Sequence, residues 1–217
     1  MPDQQLQALF FDFDGVLVDS NAIKISAFQT LFKDAEQSLI DRLITYHNQH
    51  GGISRVEKIR HFYSDILRQP VEDGVIDRQA DQFSRLVIDK VINAPWIAGA
   101  QQFLDEQYQK IPIFLISGTP HEELQTIVEQ RRSCHYFREI LGSPTTKTVH
   151  IGQLRRRYRL DLGACLFVGD AFTDFQAASE YQLPFIGIQG AYTFPAQVTV
   201  LDDCTTLYQT ISRRFIL

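Results

Sequence analysis

The sequence predicts an α/β fold, a Rossmann-like parallel sheet core with an inserted α-helical cap domain. Two observations carry this expectation. Short apolar runs bounded by small or polar residues recur along the chain, each followed by a helical pattern, as buried parallel strands with crossover helices require. Between the first two runs lie about ninety residues without a comparable run, where a crossover needs only about a dozen.

Taken in order, residues 7–13 read Gln-Ala-Leu-Phe-Phe-Asp-Phe and stop at Asp14-Gly15, as a buried strand does. The stretch that follows repeats apolar residues every three or four positions, at Ile23, Ala27 and Leu31 and again at Ile59, Phe62 and Ile66. Residues 20–92 are therefore assigned to a helical cap, and residues 1–19 and 93–217 to the core. The hinges are expected near Asp19-Ser20 and Asn93-Ala94-Pro95-Trp96, where Pro95 disfavours helix in the residue before it. Gly51-Gly52 interrupts the cap. Three more strands are expected at 111–116, 164–168 and 184–188, then an edge strand at 197–201 and a closing helix at 204–215.

Composition narrows the function. The 217 residues include 16 Phe and 8 Tyr, enough apolar mass for a sizeable core. The net charge of −5 argues against a nucleic-acid or anionic-membrane partner. No apolar run approaches the roughly 18 residues of a membrane span. The polar start Met1-Pro2-Asp3-Gln4-Gln5 does not read as a secretory leader. Three widely spaced cysteines, Cys134, Cys165 and Cys204, read as reduced, buried thiols in a cytoplasmic protein rather than a zinc site. A monomer or weak homodimer is expected.

Four segments can carry chemistry. Phe11-Asp12-Phe13-Asp14-Gly15 places two carboxylates at the end of an apolar strand, where open α/β sheets bind ligands. Their repulsion and desolvation call for a cation or a shared proton. Val168-Gly169-Asp170 with Asp174 repeats the arrangement, and acids from two strand ends can hold one hard cation, with Mg²⁺ the fitting ion. Ser117-Gly118 follows a third strand and offers a hydroxyl and free amides, with a helix start expected directly after. Lys147 falls in the first turn of a predicted helix, against the helix dipole, so the placement invites an explanation.

The order and spacing of Asp12-x-Asp14-Gly15-Val16, Ser117, Lys147 and Gly169-Asp170-x-x-x-Asp174 resemble the four motifs of the haloacid dehalogenase superfamily, and the helical insert resembles its cap. Within it the chain looks most like the phosphoglycolate phosphatase and β-phosphoglucomutase group. The resemblance implies an Mg²⁺-dependent phosphatase acting on a small phosphorylated metabolite through an aspartyl-phosphate. Asp12 would be the nucleophile and a metal ligand. Asp14 would be the general acid/base, its backbone carbonyl a second ligand. Ser117 and the Gly118 amide would bind the phosphoryl group, and Lys147 would neutralise charge. Asp170 would complete the metal site, and Asp174 would orient ligands or bound waters. Ala171 departs from the Ser of many relatives. Asp14 itself speaks for an oxygen leaving group, which gains from protonation, over halide, which does not. A sugar phosphate mutase is the alternative, with a phosphonatase using Lys24 or Lys58, or a non-catalytic Asp-phosphorylated regulatory protein, as further readings.

The cap segment 42–68 is basic, with Arg42, Arg55, Lys58, Arg60 and Arg68 against Glu57 and Asp65. Arg55, Lys58 and His50 are expected to contact the non-reacting part of the substrate, a second anion or sugar hydroxyls. Arg155-Arg156-Arg157 reads as a solvated helix face, His121 as a helix-start residue and Trp96 as hinge packing.

Overall fold

Strand β1 (Ala8–Phe11) is buried throughout and lies in the middle of the sheet. The structure, a computed structural model, describes residues 4–217; Met1-Pro2-Asp3 of the N-terminus read as leader-free lie outside them. After β1 come four helices, α1 (Asn21–Leu31), α2 (Gln37–Gln49), α3 (Arg55–His61) and α4 (Asp73–Ile92). A π-helical turn, Phe62–Leu67, continues α3. The chain then runs through α5 (Ala100–Gln107), β2 (Ile113–Pro120), α6 (His121–Gln130), β3 (Glu139–Ser143) and α7 (Lys147–Tyr158). It ends with β4 (Cys165–Gly169), α8 (Phe172–Glu180), β5 (Phe185–Ile188), β6 (Thr199–Leu201) and α9 (Leu207–Ser212).

The six strands pair in parallel in the order β3-β2-β1-β4-β5-β6. The chain leaves β1 towards one edge and returns on its other side at β4, in register from Ala8↔Cys165 to Phe11↔Val168. The topological switch therefore lies at the carboxyl ends of β1 and β4, the crevice where such sheets bind ligands. Alternate residues of β1 serve two cores. Phe10 stacks at 5.4 Å on Phe114 and 6.3 Å from Phe167, in a cluster closed by Ile151 and Leu154 of α7 and Ala177 and Ala178 of α8. Leu9 and Phe11 face α5, α6 and α9.

Helices α1 to α4 bury aromatic residues among themselves, with Phe28 4.5 Å from Phe83 and Phe32 3.9 Å from Phe62. The two crossings between these helices and the sheet lie side by side. Asp19 N donates to Pro95 O, Ile97 N donates to Leu17 O, and Val18 bridges Trp96 antiparallel. Arg131 of α6 lies over Trp96 and donates to the carbonyls of Val91, Ile92 and Ala94, satisfying the open end of α4.

Three local features differ from the sequence expectation. β3 carries only Ile140 and Leu141 as large apolar residues, too short a run to read as a strand. β2 continues to Pro120 and α6 starts at His121, so Ser117-Gly118 lies within a strand and not at a helix start. Cys134 is exposed, at the rim beyond α6, while Cys165 and Cys204 are buried.

Phe10 is fully buried at the centre of the sheet, and truncating a core Phe removes its contacts and leaves a cavity. Phe10→Ala is expected to cost about 3–5 kcal/mol in urea denaturation; a loss below about 1 kcal/mol would contradict the packing described.

Candidate active site

Asp12 follows β1 directly, its amide donating to Val168 O at 3.0 Å. Asp170 follows β4, and Asp174 lies in the first turn of α8. The carboxylates of Asp12, Asp170 and Asp174 each offer an oxygen within 4.8 Å of the others, and all three are buried. Gly15 makes this possible. It turns the backbone at φ 79°, and a Cβ there would sit 2.3 Å from Asp170 Oδ2.

Lys147, the first residue of α7, is buried with its Nζ 2.8 Å from Asp12 Oδ1 and 2.5 Å from Asp174 Oδ1. The Asp12 contact is close enough for an ion pair but not aligned as a hydrogen bond, so Asp12 Oδ1 keeps unused acceptor capacity. Asp174 is fully engaged, because its Oδ2 also accepts from Ala171 N at 3.0 Å. Asp170 Oδ2 accepts only a long 3.3 Å bond from Asn21.

Three carboxylates around one ammonium leave two negative charges uncompensated. The titration of the site reflects this. Burial raises the pKa of Asp12, Lys147 opposes it, and Asp174 and Asp14 add to the rise, so that it stands at about 7. Asp170 is pushed well above the carboxylate range by burial and then by Asp12 and Asp174. Burial works against the Lys147 ammonium, but Asp12 and Asp174 outweigh it and hold the charge. A divalent cation would supply the missing charge, and Asp12 and Asp170 are the carboxylates free to ligate it. The donor set, all oxygen, fits Mg²⁺.

Asp14 lies outside that cluster. Ser20 Oγ donates to its Oδ1 at 2.6 Å, and Thr119 Oγ1 and Ser117 Oγ donate to its Oδ2 at 3.0 and 3.2 Å. Lys24 Nζ stands 2.6 Å from Oδ2. Burial would raise the Asp14 pKa, but Lys24 and these hydrogen bonds prevail and bring it down to about 2.

Both groups open on one cavity of about 390 Å³ between the sheet edge and the inserted helices. From the sheet side Asp12, Asp14, Gly118, Thr119 and Asp170 reach it; Ser117 lies behind the wall, buried. From the helices come Lys24, His47, Arg55 and Lys58, with Phe28 and Phe83. Gly118 lies directly beneath Gly52, where a Cβ would come 2.3 Å from the Gly52 carbonyl oxygen. Thr173 Oγ1 donates to Gly51 O at 2.8 Å. The Gly51-Gly52 loop therefore lies across the site.

The three cap residues expected to meet substrate fare differently. Arg55 lines the cavity, but its guanidinium is engaged by both oxygens of Glu123 on α6 and by Ser84 on α4. This buried fork ties the inserted helices to the core. His50 does not reach the cavity: it ends α2 outside helical geometry (φ −116°, ψ 49°), bonds the Tyr46 carbonyl and stacks on Tyr46. Lys58 reaches the cavity and forms no ion pair among the described residues.

Sequence reasoning passed over Asn21, named Lys24 only as an amine for a phosphonatase, and passed over His47, Thr119 and Glu123. A signal existed for the first two. Asn21, Lys24, Ile25 and Phe28 follow the 3.6-residue period and share one face of α1, which faces the cavity.

Two stability measurements check this geometry. Without metal, folded Asp12 binds a proton that the unfolded chain releases between pH 3.8 and about 7, so its contribution makes stability fall as pH rises through that window. Asp12→Asn is expected to raise the melting temperature in chelator above pH 7, the gain shrinking towards pH 4; a lower melting temperature at pH 8 would contradict the charge excess. Glu123→Gln leaves Arg55 buried and unpaired, at an expected cost of about 3 kcal/mol in denaturant unfolding, and the double variant Arg55→Met/Glu123→Met is expected to recover most of it.

The chain compares with known proteins as follows. The model of the family described as haloacid dehalogenase-like hydrolase matches residues 9–188. No curated protein sequence matches the chain. A predicted phosphoglycolate phosphatase from Haemophilus somnus 129pt superimposes with a TM-score of 0.76 at 18% identity, over 96% of this chain and 99% of that one. A magnesium-bound, provisionally assigned haloacid dehalogenase-type hydrolase from Bacillus subtilis, described as revealing interdomain movement, gives 0.73 at 15% identity over 96% and 100%. A provisionally assigned β-phosphoglucomutase from Thermotoga maritima gives 0.68 at 13% over 96% and 99%. At these identities the structural likeness is one of fold, and it spans nearly the whole chain; together with the family match over its four motifs, it establishes that this chain belongs to the haloacid dehalogenase-like hydrolase family.

Proposed function

We propose that the protein is an Mg²⁺-dependent phosphatase that hydrolyses a small phosphorylated metabolite, of phosphoglycolate or sugar phosphate type, through an aspartyl-phosphate on Asp12. The observation that carries this reading is the division of labour between two acids two residues apart. Asp12 faces Lys147 and the free acceptor Asp170, whereas Asp14 faces hydroxyls and Lys24. Two carboxylates in contrasting environments are suited to two roles.

In the first step an Asp12 carboxylate oxygen attacks phosphorus and the P–O bond to the leaving group breaks, leaving the phosphoryl group on Asp12. Lys147 balances the charge that gathers on Asp12 and the phosphoryl oxygens. The Gly118 amide and Thr119 lie at the cavity wall to receive those oxygens, with Ser117 holding Thr119 N from behind. The leaving oxygen takes a proton from Asp14. Because Lys24 holds Asp14 ionised when no substrate is present, Asp14 first takes up a proton, from the monoanionic phosphate ester or from solvent, as the Lys24 ammonium turns from it to the arriving phosphoryl group. In the second step Asp14, now a carboxylate, takes a proton from water. The water oxygen bonds to phosphorus, the P–O bond to Asp12 breaks, and phosphate leaves. Asp12, Asp170 and the Asp14 carbonyl would hold the Mg²⁺, which would supply the positive charge that keeps Asp12 ionised. Asp174 orients Lys147 and the Ala171 amide. The Gly51-Gly52 loop over Gly118 keeps bulk water from the site while it is closed.

Turnover of p-nitrophenyl phosphate tests the reading. It is expected to require Mg²⁺, to stop in chelator and to fall by at least about 10³-fold in Asp12→Asn. Turnover retained in that variant would reject Asp12 as nucleophile. With sugar phosphates, release of inorganic phosphate supports the phosphatase, whereas an isomeric sugar phosphate would make the protein a mutase.

A further inference from the structure

Three cations line the cavity, and two are already balanced: Lys24 by Asp14 and Arg55 by Glu123. Lys58 is not. Its side chain is 4% exposed, it forms no ion pair among the described residues, and its one hydrogen-bond partner is the neutral ring of His47, with Nζ to Nδ1 at 2.9 Å. Burial, with Lys24, lowers the Lys58 pKa to about 7 against the pull of Asp14 and Asp170; the protonated form, which an arriving carboxylate favours, keeps two free N–H donors. His47 is kept neutral: burial lowers its pKa most, Lys58 and Lys24 lower it further, and it stands at about 2. With Nδ1 accepting from Lys58, the ring proton is on Nε2, a further donor at the cavity wall. A buried charge without a counter-ion is costly, and a protein that keeps one in a ligand cavity gains when the ligand brings the opposite charge.

From this cluster we infer a subsite, formed by Lys58 and His47, for a carboxylate on the leaving group of the substrate. The inference rests on the phosphatase reading and narrows it to phosphate monoesters of hydroxy acids. One ammonium and one neutral imidazole offer a single positive charge with several donors, which matches a monoanionic carboxylate. A second phosphoryl dianion needs about two charges, whereas Arg55 is held by Glu123 and Lys24 serves Asp14 and then the transferring phosphoryl group. The placement fits as well. Lys58 and Arg55 are three residues apart on α3 and share its cavity face, so the Arg55–Glu123 fork that seats the cap also fixes where Lys58 stands.

The test compares 2-phosphoglycolate with 2-hydroxyethyl phosphate, a neutral ester of similar size, in wild type, Lys58→Met and Lys58→Arg. Wild type is expected to prefer the carboxylate ester by at least about tenfold in kcat/KM, through KM. In Lys58→Met the ratio falls to about one, and in Lys58→Arg, which restores the charge, it stays above about fivefold. A melting temperature for Lys58→Met no lower than wild type accompanies this, since the variant removes a buried charge. Turnover of both esters by wild type with no preference, or a preference that survives in Lys58→Met, overturns the subsite and leaves the phosphatase standing. Turnover of neither ester, nor of p-nitrophenyl phosphate, overturns both.

Discussion

Everything at the site follows from one electrostatic constraint: three buried carboxylates share one ammonium at the carboxyl ends of β1 and β4. Neither strand can be moved, because Phe10 and Phe11 fill two separate cores between the same neighbours. The sheet therefore forces Asp12 and Asp170 together, and Lys147 at the start of α7 answers only part of their charge. A helix N-terminus is a poor place for a cation, and the presence of Asp12 and Asp174 reverses that preference. Without added positive charge, Asp12 and Asp170 are drawn towards their protonated forms.

The inserted helices complete the site in two ways. They close it, through Gly51-Gly52 against Gly118 and Thr173 and through the Arg55–Glu123 fork. They also contribute charge, through Lys24 on Asp14 and Lys58 beside His47. Aromatic residues pack among the inserted helices, whose apolar residues also join the core on the α6 side, and the two crossings at Asp19 and Pro95 run side by side.

The parallel sheet and the acids at its strand ends were legible in the sequence because Asp12 and Asp170 each follow an unmistakably apolar run. β3 was not, since two apolar residues at an edge give no periodic signal. Asn21 and Lys24 could have been read from the face they share with Phe28. The partnership of Arg55 with Glu123, 68 residues on, could not, because it depends on how the inserted helices seat on α6. The choice of His47 over His50 turned on where α2 ends: one turn earlier the ring faces the cavity, while at the terminus the backbone carries it away. Local spacing thus located the chemistry, and tertiary seating decided which cations are left for a ligand.

The most direct test of the central claim is acid quenching of the enzyme during turnover of a phosphate ester in Mg²⁺, followed by peptide mapping. The account predicts a phosphoryl adduct on Asp12 that is labile to hydroxylamine and absent when metal is removed. An adduct on Asp14 or another residue, or steady turnover with no adduct at any quench time, would contradict it.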